Sequence, residues 1–242
     1  MNIVSSKKEH KHLVPSANAD FSNFENLLSS RHSCRGFLPH SVDRNTIVKM
    51  LEMAQRTASW CNSQPWQVVV TSGEGTERFR EALFKYAAGQ TTFAPDLSFP
   101  KQYSGVYMER RRNCAAQLYE SLGIASGDRA TSSAQTLQNF RLFGAPHAAI
   151  ITTDEALGVY GAIDCGAYIS NFMLSAWSLG VASIAQAALA AHSGFVREYF
   201  GLSKDRNVVC GISFGYEDRA HPANSFRTSR ARIEDSVVWR DE

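Results

Sequence analysis

Ser59-Trp60-Cys61-Asn62-Ser63-Gln64-Pro65-Trp66 runs directly into Gln67-Val68-Val69-Val70-Thr71. Asn, Ser and Pro mark the first part as a turn, and the β-branched run that follows marks a strand from Trp66 to Thr71. Indole rings and side-chain amides are therefore held at one place beside a strand. That set suits a planar ligand rich in heteroatoms better than it suits a plain core.

Working outward, Arg31-His32-Ser33-Cys34-Arg35 gathers anion-binding groups within five positions. On their own, Arg31 and Arg35 read as a solvated helix end. Taken with the turn, the cluster suggests a bound flavin mononucleotide (FMN), its ring near Ser59–Trp66 and its phosphate near Arg31–Arg35. Before the cluster, Ser22-x-x-Glu25 reads as a capping box, with Phe24, Leu27 and Leu28 on the apolar side of a short helix ending near Ser30. Beyond Pro39, Asp43 caps a second helix. Its stripe is Ile47, Met50, Leu51, Ala54 and Ala58, so this helix delivers the chain to Ser59.

Downstream, residues 74–88 are expected to form a helix on Phe79, Leu83 and Phe84. Residues 89–104 form a long connection with Pro95 and Pro100, of a length that often carries binding function. Helices are expected at 106–122 and 133–143, ended by Gly144-Ala145-Pro146, and a short apolar strand at 148–153. Residues 158–179 leave almost no polar face: a helix there, roughly 33 Å long, must be buried nearly all round. Asp164, Ser170 and Asn171 argue against a membrane span, and a central helix shared between two subunits of a homodimer accounts better for it. Gly180 to Ala188 reads as a turn of small residues around Gln186, which a flat ligand can approach closely or which is simply a turn. A helix is expected at 193–200 and a strand at 208–216, whose glycines imply close packing against a neighbour or ligand.

At 242 residues, 44% hydrophobic and 20% charged, the chain can bury a full core. A net charge of +2 gives no bulk attraction to nucleic acid. Arg110-Arg111-Arg112 is accounted for as a solvated helix face. Cysteines 34, 61, 114, 165 and 210 are odd in number and form no Cys-x-x-Cys, so neither a disulfide framework nor a zinc site is indicated, and a reducing cytoplasm fits. Residues 1–20, carrying His10 and His12, read as a flexible polar arm, 21–218 as the folded domain, and 219–242 as a C-terminal arm.

The ordered set Arg31-His32-Ser33-x-Arg35, Asn62-Ser63-Gln64-Pro65-Trp66, Leu179-Gly180 into Ala185-Gln186-Ala187, Gly211-x-x-x-Gly215-Tyr216 and Arg230 resembles the FMN-dependent nitroreductase superfamily from Asp20 to Glu242. The resemblance implies an α+β fold with a mostly antiparallel central sheet flanked by helices, in an intertwined homodimer whose C-terminal arm extends onto the partner subunit. It implies FMN at the dimer interface, with Arg31, His32, Ser33 and Arg35 toward the phosphate and ribityl and Arg230 closing over the phosphate. Ser59 and Asn62 come from the partner chain, with Gln64 beside them or holding the turn. Ala185, Gln186 and Ala187 lie along the other ring edge, an N–H near Ala187 facing the hydride-accepting N5. The pattern departs from the family at Ala185, Ala187 and Ala188, and at Trp60 and Cys61. Trp60 is placed as a wall over a small planar aromatic substrate, with Phe99 and Tyr103 in the same pocket or in the core.

The implied activity is NAD(P)H-dependent reduction of nitroaromatic, quinone or similar acceptors by two-electron ping-pong transfer, with no catalytic side chain and no metal, since the cofactor carries the chemistry. A Gly-x-Gly-x-x-Gly fingerprint is absent, so NADPH or NADH binds transiently. Three rivals stay open. One is a same-fold flavoenzyme of other chemistry, such as reductive dehalogenation, ring dehydrogenation or flavin breakdown. Another is a flavin-binding protein without turnover. The last is a cysteine-nucleophile enzyme using Cys61 with His147 as a base.

Overall fold

A computed structural model describes residues 17–241, with side chains from residue 19. Residues 1–16, where most of the expected polar arm with His10 and His12 falls, lie outside it. The chain divides after Arg31 into two compact units. The first contains helix α1, Ala17–Ser30. It starts five residues before the proposed capping box, so Ser22 is interior to the helix rather than its cap.

The second unit is built on four antiparallel strands in the order β1-β2-β4-β3. They are β1 Gln67–Thr71, β2 His147–Asp154, β3 Ala182–Gln186 and β4 Arg206–Gly215. Among the described residues the unit's α-helices are α2 Arg44–Ala54, α3 Glu74–Ala88, α4 Gly105–Ser121, α5 Arg129–Leu137, α6 Gly158–Ser178, the short α7 Ala187–Ala190 and α8 Ser193–Phe200. Asp43 caps α2, accepting from the Thr46 N–H at 2.9 Å.

The two faces of the sheet carry two cores. Ala149, Ile151, Cys210, Ile212 and Phe214 pack with Ile47, Met50 and Ala54 of α2 and with Cys165, Tyr168, Phe172 and Ala176 of α6. Ala148, Ile150 and Val208 pack with Phe79 and Leu83 of α3, Leu189 of α7 and Val196 of α8. Val208 and Cys210 share a parity yet face opposite cores. Between them lies a bulge, since Ile151 pairs with Cys210 but Thr152 pairs with Val208.

Several boundaries differ from expectation. α2 stops at Ala54, leaving Ala58 exposed outside its stripe. α5 starts after its cap Asp128 and ends at Leu137; five residues on, Leu142 and Phe143 take φ of 56° and 51°, so no helix runs through to 143. Residues 182–186 are a strand, not a turn. Its apolar-to-small composition hid the β signal, and only Gly180, at φ 75°, belongs to the turn. α6 is buried on one face only within this chain, with Val159, Tyr160 and Ile163 exposed. Among the described residues no helix is long and apolar enough to cross a membrane. The glycines of β4 answer a neighbour rather than a ligand. A Cβ on Gly211 would stand 2.3 Å from Leu189 Cδ2, and one on Gly215 would stand 2.5 Å from Pro146 Cδ.

Candidate functional site

Within the second unit the expected site residues fall at two places; Arg31 belongs to the first unit, where it follows α1 and its N–H donates to the Leu27 carbonyl at 3.1 Å.

The first place is the outer side of β3. Ser33 forms a parallel bridge with Ser183, and the Cys34 N–H donates to the Ser183 carbonyl at 3.1 Å, so residues 33–34 extend the sheet beyond β3. His32 Nε2 lies 2.8 Å from Glu217 Oε1, and its ring meets Trp177 edge-on at 5.2 Å. The Arg35 N–H donates to Asn224 Oδ1 at 2.7 Å, and Asn224 donates on to the carbonyls of Gly36 and Asp218 at 2.9 Å. The C-terminal segment is thereby folded back onto the cluster at Asn224.

A cavity of about 220 Å³ opens here, with Arg35, Tyr119, Asn139, Ala185, Gln186 and Ala187 in its wall. It joins two of the sequence motifs in space. Burial lowers the Arg35 pKa from its ordinary value. Among the described residues no carboxylate stands within 4 Å of its guanidinium, whose contacts are the Ser33 carbonyl at 3.5 Å and the Phe226 ring at 5.9 Å. It is a half-buried cation facing a cavity without a counter-ion. Gln186 is engaged at both ends of its amide: Nε2 donates to the Asn139 carbonyl at 2.9 Å and Oε1 accepts from the Ser213 hydroxyl. Its side chain ties β3 to β4 and to the end of α5, so what it offers a ligand is its backbone. Ala187 follows as the first residue of α7, where helix N–H groups have no partner within the helix.

The second place is the turn entering β1. Trp60–Asn62 form a single 3₁₀ turn, and Cys61, Asn62 and Gln64 have φ of 52°, 55° and 47°. Non-glycine residues rarely take such angles, and they persist only where surrounding bonds impose them. Those bonds are present. Ser59 Oγ accepts from the Gln64 N–H at 2.9 Å, and the Trp60 N–H donates to Asp164 of α6 at 3.1 Å. Gln55 donates to Gln64 Oε1 at 3.1 Å and accepts from the Trp66 indole at 2.9 Å. Gln64 therefore holds the turn with both its backbone and its side chain. Trp60, 56% exposed, meets Tyr160 edge-on at 4.1 Å.

These two places are not brought together within one chain. The turn heads β1 and the cavity lies along β3, the two edge strands. Three strand spacings separate them, about 14 Å. Arg230 is exposed, and among the described residues its hydrogen bonds go to its own neighbourhood, Thr228 Oγ1 at 2.9 Å and the Ser229 carbonyl at 3.0 Å. The connection 89–104 is pinned through Asp96, which accepts from the Val208 N–H at 2.8 Å and pairs with Arg197. Phe99 and Tyr103 lie further along it, Tyr103 under the Arg111 guanidinium at 5.2 Å, and neither is in the wall of the Arg35 cavity.

The cysteine-nucleophile reading fails on geometry. His147 Nε2 accepts from the Val42 N–H at 2.9 Å and Nδ1 lies 3.2 Å from the Thr71 carbonyl, so neither nitrogen is available. Burial also lowers its pKa. His147 sits beside Thr71 at the far end of β1 from Cys61.

Sequence reasoning missed Asn224, Asp164 and Arg206. Each is a lone polar residue whose partner lies more than 50 residues away or in main chain, so no local pattern marks it.

A model of the nitroreductase family matches residues 28–216. The 4-nitrobenzoate reductase of Nocardioides sp. (strain LMS-CY) is 32% identical over 225 residues, spanning 90% of this chain and 91% of its own. The nitroreductase NfnB of Mycolicibacterium smegmatis is 33% identical over 216 residues, spanning 88% and 91%. The crystal structure of the FMN-dependent nitroreductase NfnB from Mycobacterium smegmatis in complex with NADPH superposes with a TM-score of 0.86 at 31% identity, covering 91% of this chain and 99% of that one. With a family model matching most of its length and a relative 33% identical over 88% of it, the chain belongs to the nitroreductase family.

Proposed function

We propose that this chain is an FMN-dependent, NAD(P)H-driven reductase of nitroaromatic compounds, and of similar small planar acceptors such as quinones, working as a homodimer. The observation that carries the reading is Arg35, a half-buried cation with no carboxylate within 4 Å among the described residues, set in a cavity wall beside Ala185 and Ala187. A phosphate satisfies such a group through paired, charge-assisted hydrogen bonds. The residues present therefore fit FMN.

Bound FMN supplies two-electron transfer in two half-reactions, from a reduced nicotinamide and then to the acceptor. The protein's part is to bind and orient. Arg35, with Arg31, His32 and Ser33 of the same motif, holds the phosphate and ribityl end, and Arg230 is assigned to the phosphate on the motif alone. The backbone of Ala185–Ala187 lines one ring edge, with the Ala187 N–H as donor to the ring. Ser59 and Asn62 stand at the other edge strand, so they serve the site of a second copy, and a twofold dimer completes two sites at once. The exposed Val159, Tyr160 and Ile163 of α6 suit burial in such a contact. Trp60 with Phe99 and Tyr103 is assigned to the acceptor side. No side chain is assigned a catalytic proton transfer. Five free thiols suit a reducing compartment such as the cytoplasm.

The test is an anaerobic absorbance titration of the purified protein with NADPH, then NADH, then 4-nitrobenzoate. Flavin bands that bleach with nucleotide and return with acceptor are expected. Bands that resist both nucleotides overturn the NAD(P)H assignment, and a colourless protein that takes up no FMN overturns the whole reading.

A further inference from the structure

Arg206, at the head of β4, is 8% exposed. Its Nη2 donates to the carbonyls of Thr152 at 2.9 Å and Pro65 at 3.2 Å and to Thr152 Oγ1 at 3.1 Å, and its Nε lies 3.3 Å from the same hydroxyl. Among the described residues no carboxylate is within 4 Å of it. Burying a charge on neutral acceptors is an expensive way to join strands that already share a ladder. β2 and β4 are paired from His147 to Asp154, so the strands themselves need no such bond.

Two details show what the guanidinium is aimed at. The bulge between Thr152 and Ile151 shifts the β4 register by one residue, which sends Arg206 to the face opposite the one it would otherwise take. From there it reaches past β2 to the Pro65 carbonyl, the exit of the Ser59–Trp66 turn. That turn holds Cys61, Asn62 and Gln64 at positive φ; its other braces act at Ser59, Trp60 and Gln64 and, through the indole N–H, at Trp66, while Arg206 holds the Pro65 main chain.

We propose that Arg206 is a positioning residue for cofactor binding: by clamping the Pro65 carbonyl it fixes the exit of the strained turn and so the presentation of Ser59 and Asn62 to the flavin. The inference rests on the reading that this turn contacts FMN. Lysine at 206 keeps the charge but loses the fork that serves Pro65 and Thr152 together.

The experiment compares FMN dissociation constants of Arg206→Lys, Asn62→Ala and the double variant by flavin fluorescence, well below each melting temperature. Loss of a charge-assisted hydrogen bond predicts a roughly tenfold weaker FMN affinity for Arg206→Lys. The double variant should bind little worse than Asn62→Ala alone, because both act through the same contact. Guanidinium ion added to Arg206→Ala should restore part of the affinity, which a general packing defect would not show. If Arg206→Lys melts lower but binds FMN normally while Asn62→Ala binds it weakly, the inference falls and the site reading stands. If neither variant weakens FMN, the turn does not contact the cofactor, and both fall. Should Arg206→Lys fail to fold, Thr152→Val removes the hydroxyl that orients the guanidinium and is judged by the same affinities.

Discussion

The main-chain N–H of Trp60 donates to the Asp164 carboxylate at 3.1 Å, fastening the head of the turn to the second helical turn of α6. Asp164→Ala removes that acceptor and should lower stability by about 1 kcal/mol, or about 2–4 °C in Tm for a chain of this size. Asp164→Asn keeps an acceptor and should melt close to wild type. Thermal melts followed by tryptophan fluorescence decide it, and equal melting of Asp164→Ala and wild type would sink the brace.

Arg35 offers a direct trial of the cofactor assignment. Its backbone N–H, not its side chain, holds Asn224, so Arg35→Ala should fold with the C-terminal segment still docked. The guanidinium loss removes paired charge-assisted bonds to phosphate and should weaken FMN binding by roughly 10- to 100-fold. Arg31→Ala should likewise release flavin more readily than it alters the fold. Flavin fluorescence titration with circular dichroism on the same samples reads both quantities. Full FMN retention by Arg35→Ala would remove the main support for the phosphate site.

Much of this was legible in the sequence because it depends on local pattern. The stripe Ile47, Met50, Ala54 and the run Gln67–Thr71 are each decided by neighbours within a turn or a strand, and they appear where expected. β3 was not legible: Ala182-Ser183-Ile184-Ala185-Gln186 has one β-branched residue, and it is a strand because β4 supplies its ladder. The site shows the same division. Arg35 and Ala185–Ala187 are distant in sequence but meet in one cavity wall. The Gln186 amide bonds Ser213 and Asn139, a pairing that exists only once β3, β4 and the segment after α5 are assembled, so no local pattern announces it. The one-sided burial of α6 has the same origin, since a composition records what must be covered and not which surface covers it.

Gly211 tests how tightly the cavity wall depends on the core behind it. A Cβ there would stand 2.3 Å from Leu189 Cδ2, and Leu189 is on α7, two residues past Ala187. Gly211→Ala should therefore push α7 outward, costing about 1–3 kcal/mol by overpacking and weakening FMN binding. Adding Leu189→Ala opens the space and should recover part of the affinity. Denaturant unfolding and FMN titration of both variants provide the check. A Gly211→Ala protein as stable as wild type would show that α7 yields freely.

Stability at alkaline pH should report the buried thiols. Burial pushes Cys34 up to about 12 and Cys165 and Cys210 up to about 11, with hydrogen bonds only partly opposing it. In the unfolded chain such thiols ionise near pH 8.5. A folded-state pKa raised in this way leaves the contribution intact below about pH 8.5. The contribution is then lost as pH climbs toward 11–12, because only the unfolded chain gives up the proton. Each thiol should steepen the loss by about 1.4 kcal/mol per pH unit. Urea midpoints measured under reductant from pH 7 to 10.5 should be level at first and then fall. Cys34→Ala should flatten the alkaline limb by one thiol's share, and an unchanged slope in that variant would refute the burial account of Cys34.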